Sequence, residues 1–143
     1  MNKKGGNVVK RRYILTAAGL AALLLAFLFL VPQRVMKGNT RLYAVEWNGA
    51  DVTETLSAEQ RAALEALALD AQCARWQNLM GSFFLREDTV VLSLISDTMD
   101  GPCRFYLVGG MDRYAVTRNG KDYNLRDGET MLNAVLDVLK GGQ

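Results

Sequence analysis

Residues 103–125 read CRFYLVGGMDRYAVTRNGKDYNL, three short runs rich in aromatic and aliphatic residues that are separated by two glycine-containing dipeptides. The second dipeptide, Asn-Gly, suits the positive φ angles of a two-residue hairpin turn. A turn of this kind places Val116 opposite Tyr123. It also places Tyr114 opposite Leu125, so the last two runs are predicted to form an antiparallel hairpin.

The first dipeptide, Gly-Gly at 109–110, provides a second register against which the first can be checked. A two-residue turn there places Phe105 opposite Tyr114. It also places Cys103 opposite Val116. The two registers agree, because they assign one set of residues to the core face (Cys103, Phe105, Tyr114, Val116, Tyr123, Leu125) and another to the opposite face (Arg104, Arg113, Asp122, Asn124). A slip of one residue would bury the charged set, so the pattern predicts an antiparallel meander.

Three stretches before this meander are predicted to add strands to the sheet. TVVLSLIS, residues 89–96, is rich in β-branched residues, and WQNLMGSFFL, residues 76–85, is a second candidate whose first residues could instead extend a helix. LYAVEWNGADV, residues 42–52, predicts a strand, a turn at Asn48-Gly49 and a short return strand or loop.

Two helices complete the predicted domain. SAEQRAALEALALDA, residues 57–71, begins with Ser57 and has Gln60 three residues later, which is the capping-box pattern. DGETMLNAVLDVLKGG, residues 127–142, has an apolar stripe at helical spacing, with Asp127 as the expected cap and a glycine after its last turn. The predicted fold class is α+β, a small antiparallel β-meander sheet with two helices packed on one face.

A long apolar run precedes the domain. No charged residue lies between Arg12 and Arg34, and a helix over these residues is about 30 Å long, the thickness of the hydrocarbon core of a bilayer. The run is longer than the apolar region of a cleaved signal peptide, and no small-x-small cleavage pattern follows it. Residues 13–33 are therefore predicted to be a transmembrane signal-anchor helix, with cleavage at an atypical site as the alternative.

The basic residues predict the orientation of this span. Five of them crowd the tail before it (Lys3, Lys4, Lys10, Arg11, Arg12), where no acidic residue occurs. By the positive-inside rule we expect the tail, residues 1–12, in the cytoplasm. We expect a short polar linker at 34–40 and an extracytoplasmic α+β domain at 41–143 of a single-pass cell-membrane protein.

Charge and cysteine content narrow the function of the outer domain. Seven of the 17 basic residues lie at or before Lys37 and all 15 acidic residues follow it, so the rest of the chain has ten basic and 15 acidic groups, net −5. This balance argues against nucleic acid as a partner.

Cys73 and Cys103 are the two cysteines, and outside the cytoplasm we expect them to form a disulfide, which would stabilise the domain by roughly 3–4 kcal/mol in the loop-entropy model. Two free buried thiols are the alternative.

No pattern of residues indicates catalysis. The chain has no histidine, the commonest general base and metal ligand, so we expect no enzyme activity, no metal and no cofactor. The acidic pairs Asp97 with Asp100 and Glu87 with Asp88 fall in predicted turns, where solvated acids are common. Three residues are candidates for an aromatic binding patch, although we expect the core to take at least two of them: Tyr43, Trp47 and Trp76.

Three functional hypotheses remain open from the sequence. The first is a membrane-anchored, non-enzymatic binding or accessory module that contacts a protein or another envelope component. The second is a small envelope hydrolase or thiol redox protein. The third is a subunit of a membrane complex that acts through its span, where Ala18, Ala22 and Ala26 have the small-xxx-small spacing that lets two helices approach closely. A weak homodimer through the span is one form of this contact.

Overall fold

The computed structural model describes residues 5–77, 88–109 and 114–141, with side chains described from Lys10 onward. The chain divides into two compact units, Met1–Val31 and Pro32–Gln143. The first unit contains one helix, α1 (Gly5–Leu30), within which Lys10–Leu30 is long and apolar enough to cross a membrane, with a mean hydropathy of 2.4. Helix α1 ends three residues before the predicted end of the span at 33, because Pro32 has no amide hydrogen and disfavours helical backbone in the residue before it.

The second unit is built on a six-stranded antiparallel sheet, which confirms the predicted fold class. Its strands are β2 (Thr40–Trp47), β3 (Ala50–Asp51), β5 (Thr89–Ser96), β6 (Cys103–Val108), β7 (Ala115–Arg118) and β8 (Lys121–Asn124). The strand order is β3-β2-β5-β6-β7-β8, so the predicted meander is β6 to β8, and β5 and β2 extend the sheet beyond β6. A separate two-stranded sheet pairs β1 (Gln33–Arg34) with β4 (Gln72–Cys73).

Two hairpin turns have the predicted conformation. Asn48 and Gly49, between β2 and β3, have φ angles of 52° and 80°. Asn119 and Gly120, between β7 and β8, have φ angles of 50° and 69°. Positive φ at both central residues is the two-residue turn that matches the twist of a hairpin, and the pairing of Val116 with Tyr123 follows as predicted.

The predicted register between β6 and β7 is wrong by two residues. Phe105 pairs with Val116, not with Tyr114, and this register is incompatible with a two-residue turn at Gly109-Gly110. The shift is an even number, and side chains alternate with a period of two, so each residue keeps its predicted face. Cys103 and Phe105 are accordingly buried, while Arg104 is exposed. Arg113, assigned to the opposite face, lies outside the described residues.

Both predicted helices are present. Helix α2 (Ala58–Asp70) begins with the predicted capping box: Gln60 N donates to Ser57 Oγ at 3.1 Å, and Ser57 N donates to Gln60 Oε1 at 2.9 Å. Helix α3 (Gly128–Lys140) begins directly after Asp127, but the Asp127 carboxylate makes no capping hydrogen bond. The physical reason is that Asp127 has left-handed backbone, with φ of 49°, rather than the extended backbone of a capping residue.

The core lies between the sheet and the two helices. Its largest fully buried side chains come from both layers and include Phe105, Leu92, Leu94, Leu107 and Leu64. Of the predicted strand at 76–85, Trp76 and Gln77 are not in a strand, and the remainder lies outside the described residues.

The expected polar linker at 34–40 is instead part of the folded unit. Arg34 pairs with Gln72 across β1 and β4. Val35 and Met36, which follow, are 0% and 1% exposed and belong to the hydrophobic core. Sequence composition gave this stretch a polar appearance, but its two apolar residues find partners that are distant in sequence, which local reasoning does not reveal.

Candidate functional site

A β-bulge in β2 presents an aromatic side chain to solvent. Leu42 pairs with Leu94 and Ala44 pairs with Ser93, so Tyr43 is an extra residue without a partner of its own on β5. Its side chain is 66% exposed. Bulges bend a strand locally and redirect side chains, and they are frequent beside functional sites.

Two more exposed side chains lie beside this bulge. Arg41 pairs with Ile95 across β2 and β5, two residues before Tyr43. Ile95 is 43% exposed, and Arg41 is also exposed. We call Arg41, Tyr43 and Ile95 the outer patch. A cavity of about 400 Å³ adjoins it, lined by Asn39, Arg41, Ile95, Ser96 and Asp97.

The backbone under one end of the outer patch is held by a set of hydrogen bonds that we call the clamp, between residues 37–39 and 96–98. Asn39 N donates to Asp97 Oδ1 at 3.1 Å, and Asp97 N donates to the Asn39 carbonyl at 3.3 Å. Thr98 Oγ1 donates to the carbonyl of Lys37 at 2.9 Å, and Ser96 Oγ donates to the same carbonyl. These contacts fix the ends of both strands that carry the patch.

The aromatic residues proposed from the sequence do not form one cluster. Trp47 packs against the core, and its buried Nε1 has no hydrogen-bond partner. Trp76 is 47% exposed and follows β4 rather than lying on β2 or β5. The expectation that at least two of the three pack in the core is wrong, because both Tyr43 and Trp76 are exposed. Only Tyr43 belongs to the outer patch.

The predicted disulfide is not found: Cys73 and Cys103 are free, buried thiols. Burial raises the pKa of Cys103 to about 12, with Arg118 partly opposing this effect and Cys73 adding to it. Burial also raises the pKa of Cys73, although Arg118 and a hydrogen bond from Gln33 oppose the shift. Both thiols are therefore protonated at neutral pH, which is the unreactive form.

Two of the acidic residues considered for catalysis, Asp97 and Asp88, make hydrogen bonds that support the fold. Asp97 accepts the Asn39 amide in the clamp. Asp88 has φ of 62°, and its carbonyl accepts the amide of Gly109 at 3.2 Å. Glu87, the other member of its pair, lies outside the described residues. Within the described ranges, no group of three or more metal-ligating side chains is present.

A second, smaller cavity of about 260 Å³ lies at the junction of α2 and α3. Its lining mixes apolar and charged residues: Leu67, Asp70, Ala71, Gln72, Arg126, Asp127, Thr130, Met131 and Ala134.

In α1, Ala18, Ala22 and Ala26 keep the four-residue spacing expected from the sequence, and all three are exposed in the single chain.

Sequence reasoning missed the bulge, although one signal for it was present. Leu42 and Val45 are both buried, and they are three residues apart. A regular strand places residues two or four apart on one face, so two core residues at a spacing of three require an irregularity between them.

The chain matches no protein-family model, no curated protein and no solved structure.

Proposed function

We propose that this chain is a membrane-anchored, non-enzymatic accessory protein whose folded domain binds another envelope protein through the outer patch. The observation that carries the proposal is the bulge, which exposes Tyr43 beside Arg41 and Ile95. Tyr and Arg are the residue types that dominate binding energy at protein interfaces, and an aliphatic neighbour supplies apolar area. The clamp holds the strand ends that carry the patch, so little backbone entropy is lost there when a partner binds.

Membrane anchoring is the second part of the proposal. The apolar length of α1 supports it. So does the basic tail of residues 1–12, which has no acidic residue and favours a cytoplasmic N-terminus. A reporter that fluoresces only in the cytoplasm, fused in turn to each terminus, tests the orientation. Signal from the N-terminal fusion alone is expected, and signal from the C-terminal fusion contradicts the orientation.

The state of the thiols argues for binding over thiol chemistry. A redox or nucleophilic cysteine needs a lowered pKa and access to solvent. Cys73 and Cys103 have the opposite properties, since both are 0% exposed and burial raises the pKa of each. The alternative in which the span is the contact predicts that binding is lost when α1 is replaced by an unrelated apolar helix.

Site-specific photo-crosslinking in intact cells tests the patch directly. A photoreactive phenylalanine analogue is placed at Tyr43 in the full chain, and in a matched control it replaces Asn133, which is exposed on α3. We expect one discrete protein adduct from position 43 and none from position 133. Equal adducts from both positions would contradict a specific patch.

Substitution at the same residue then measures the contact. Tyr43→Ala removes the aromatic ring and is expected to weaken capture of the crosslinked partner by about 30-fold, the effect of losing an interface anchor worth about 2 kcal/mol. Tyr43→Phe keeps the ring and retains most of the binding. Because the side chain is largely exposed, neither change should alter the unfolding midpoint by more than a small amount.

A further inference from the structure

The segment that follows α1 is joined to it by very little chain. Helix α1 ends at Leu30 and strand β1 begins at Gln33, so only Val31 and Pro32 lie between these elements. Arg34 is four positions after Leu30, and a fully extended chain of that length spans at most about 14 Å. If α1 crosses a membrane, the covalent chain keeps Arg34 close to the headgroup region where the span ends.

The tip of the β7–β8 hairpin is attached to this same segment. Arg118 Nη1 donates to the carbonyl of Arg34 at 3.3 Å and to that of Val35 at 3.2 Å. Arg118 pairs with Lys121 across the hairpin. The guanidinium of Arg118 also lies over the ring of Tyr123, 5.4 Å from its centroid. The hairpin tip is therefore adjacent to Arg34, the residue that the short connection ties to α1.

These contacts gather positive charge in a domain that is otherwise acidic. We call Arg34, Lys37, Arg118 and Lys121 the basic rim; all are exposed except the half-buried Arg118. No acidic residue occurs between Val31 and Val45. Three carboxylates lie at the same end of the sheet: Asp97, which accepts the Asn39 amide, Asp122, which accepts Thr117 Oγ1, and the exposed Asp100 in the turn between β5 and β6. Four cations against three carboxylates leave a small net positive charge.

We propose that the basic rim binds the phosphate groups of anionic lipid headgroups in the leaflet where α1 ends. The inference rests on the membrane-anchoring part of the proposed function and adds to it a second, electrostatic contact with the bilayer. A basic residue near an anionic lipid surface contributes attraction that falls off within a Debye length, about 10 Å in moderate salt. The short connection allows the rim to come within that range, and the proposed contact would then favour one orientation of the domain on the membrane.

Fluorescence quenching in lipid nanodiscs tests this contact with the full chain. A fluorophore is attached through Asn119→Cys at the hairpin tip, and in a control protein through Asp137→Cys, which is exposed on α3. The native thiols are buried and do not compete for the label. The nanodiscs carry a headgroup nitroxide quencher in either a phosphatidylglycerol–phosphatidylcholine mixture or phosphatidylcholine alone.

We expect quenching at position 119 to exceed quenching at position 137 in the anionic nanodiscs, and to fall in phosphatidylcholine or high salt. Arg34→Gln and Lys121→Gln should each lower the ratio of docked to undocked domain about fivefold. Equal quenching in the two lipids, or no effect of the two substitutions, overturns the proposal. Failure of the anchor itself is recognised separately, because the chain would then be released from membranes by alkaline carbonate.

Discussion

Substitution of Gly38 by alanine probes the clamp beneath the outer patch. Gly38 has φ of +75°, and a Cβ atom built on it overlaps Asp97 Oδ1 and lies 2.9 Å from Thr98 Cγ2. The overlapped oxygen is the acceptor for the Asn39 amide. Alanine here therefore strains the backbone and also displaces the carboxylate that closes the clamp.

The expected loss of stability is the sum of two terms. Left-handed backbone costs an alanine about 1–2 kcal/mol relative to glycine. Displacing Asp97 removes a solvent-exposed hydrogen bond to a backbone amide, worth about 1 kcal/mol. Gly38→Ala should thus lower the free energy of unfolding by about 2–3 kcal/mol. Gly120 is a matched control, because its φ is +69° and no atom lies within 4 Å of an added Cβ. Gly120→Ala should lose the backbone term alone.

Urea unfolding of the full chain in detergent micelles measures both values. Tryptophan fluorescence is the suitable signal, because both tryptophans, Trp47 and Trp76, lie in the second unit and the signal excludes α1. We expect a urea midpoint for Gly38→Ala that is lower than that of Gly120→Ala by about 0.5–1 M. Equal midpoints for the two variants would refute the overlap with Asp97 and leave only the backbone term.

Three further outcomes follow from the described contacts. Gln60→Ala should lower the free energy of unfolding by about 1–2 kcal/mol, because Gln60 closes the capping box and its Nε2 donates to the Val138 carbonyl at 2.8 Å; Gln60→Glu keeps the box and isolates the second contact. Thr53→Val should lower it by about 1–3 kcal/mol, because the buried amide of Val45 loses its acceptor, the Thr53 hydroxyl, whereas Thr53→Ser should be much milder. Burial raises the pKa of Cys103 from 9.0 to about 12, so between these values the folded chain keeps a proton that the unfolded chain loses, and stability should decrease as the pH rises through this interval. A Cys103→Ala variant should show a flatter dependence of unfolding free energy on pH in urea titrations, and an unchanged dependence contradicts the assignment.

The sequence was sufficient where a local pattern has one structural solution. TVVLSLIS coincides with β5, because a β-branched run bounded by turn residues has little alternative. The Ser57 and Gln60 pair defines the start of α2, because both partners of the capping box are encoded three residues apart. The Asn119-Gly120 turn sets the β7–β8 register, because both residues tolerate the positive φ that the turn requires.

The sequence was insufficient where two different structures are compatible with the same residue pattern. The β6–β7 register differs from the prediction by two residues, and alternation of side chains cannot distinguish registers that differ by an even number. Both thiols belong to the buried core, and burial alone is compatible with either a disulfide or two free cysteines. The β-bulge at Tyr43 depends on how β2 pairs with β5, a contact between residues about 50 positions apart.

The segment after α1 relates these observations to function. A domain that only has to be tethered needs no more than a flexible polar linker, because the entropic cost of such a linker increases slowly with its length. This chain has the opposite arrangement: β1 is paired, Val35 and Met36 are buried, and the next three residues are clamped to 96–98. Only Val31 and Pro32 remain between the apolar helix and this ordered segment. The same clamp supports the outer patch, so the residues that join the domain to the apolar helix also position the surface that we propose for partner binding.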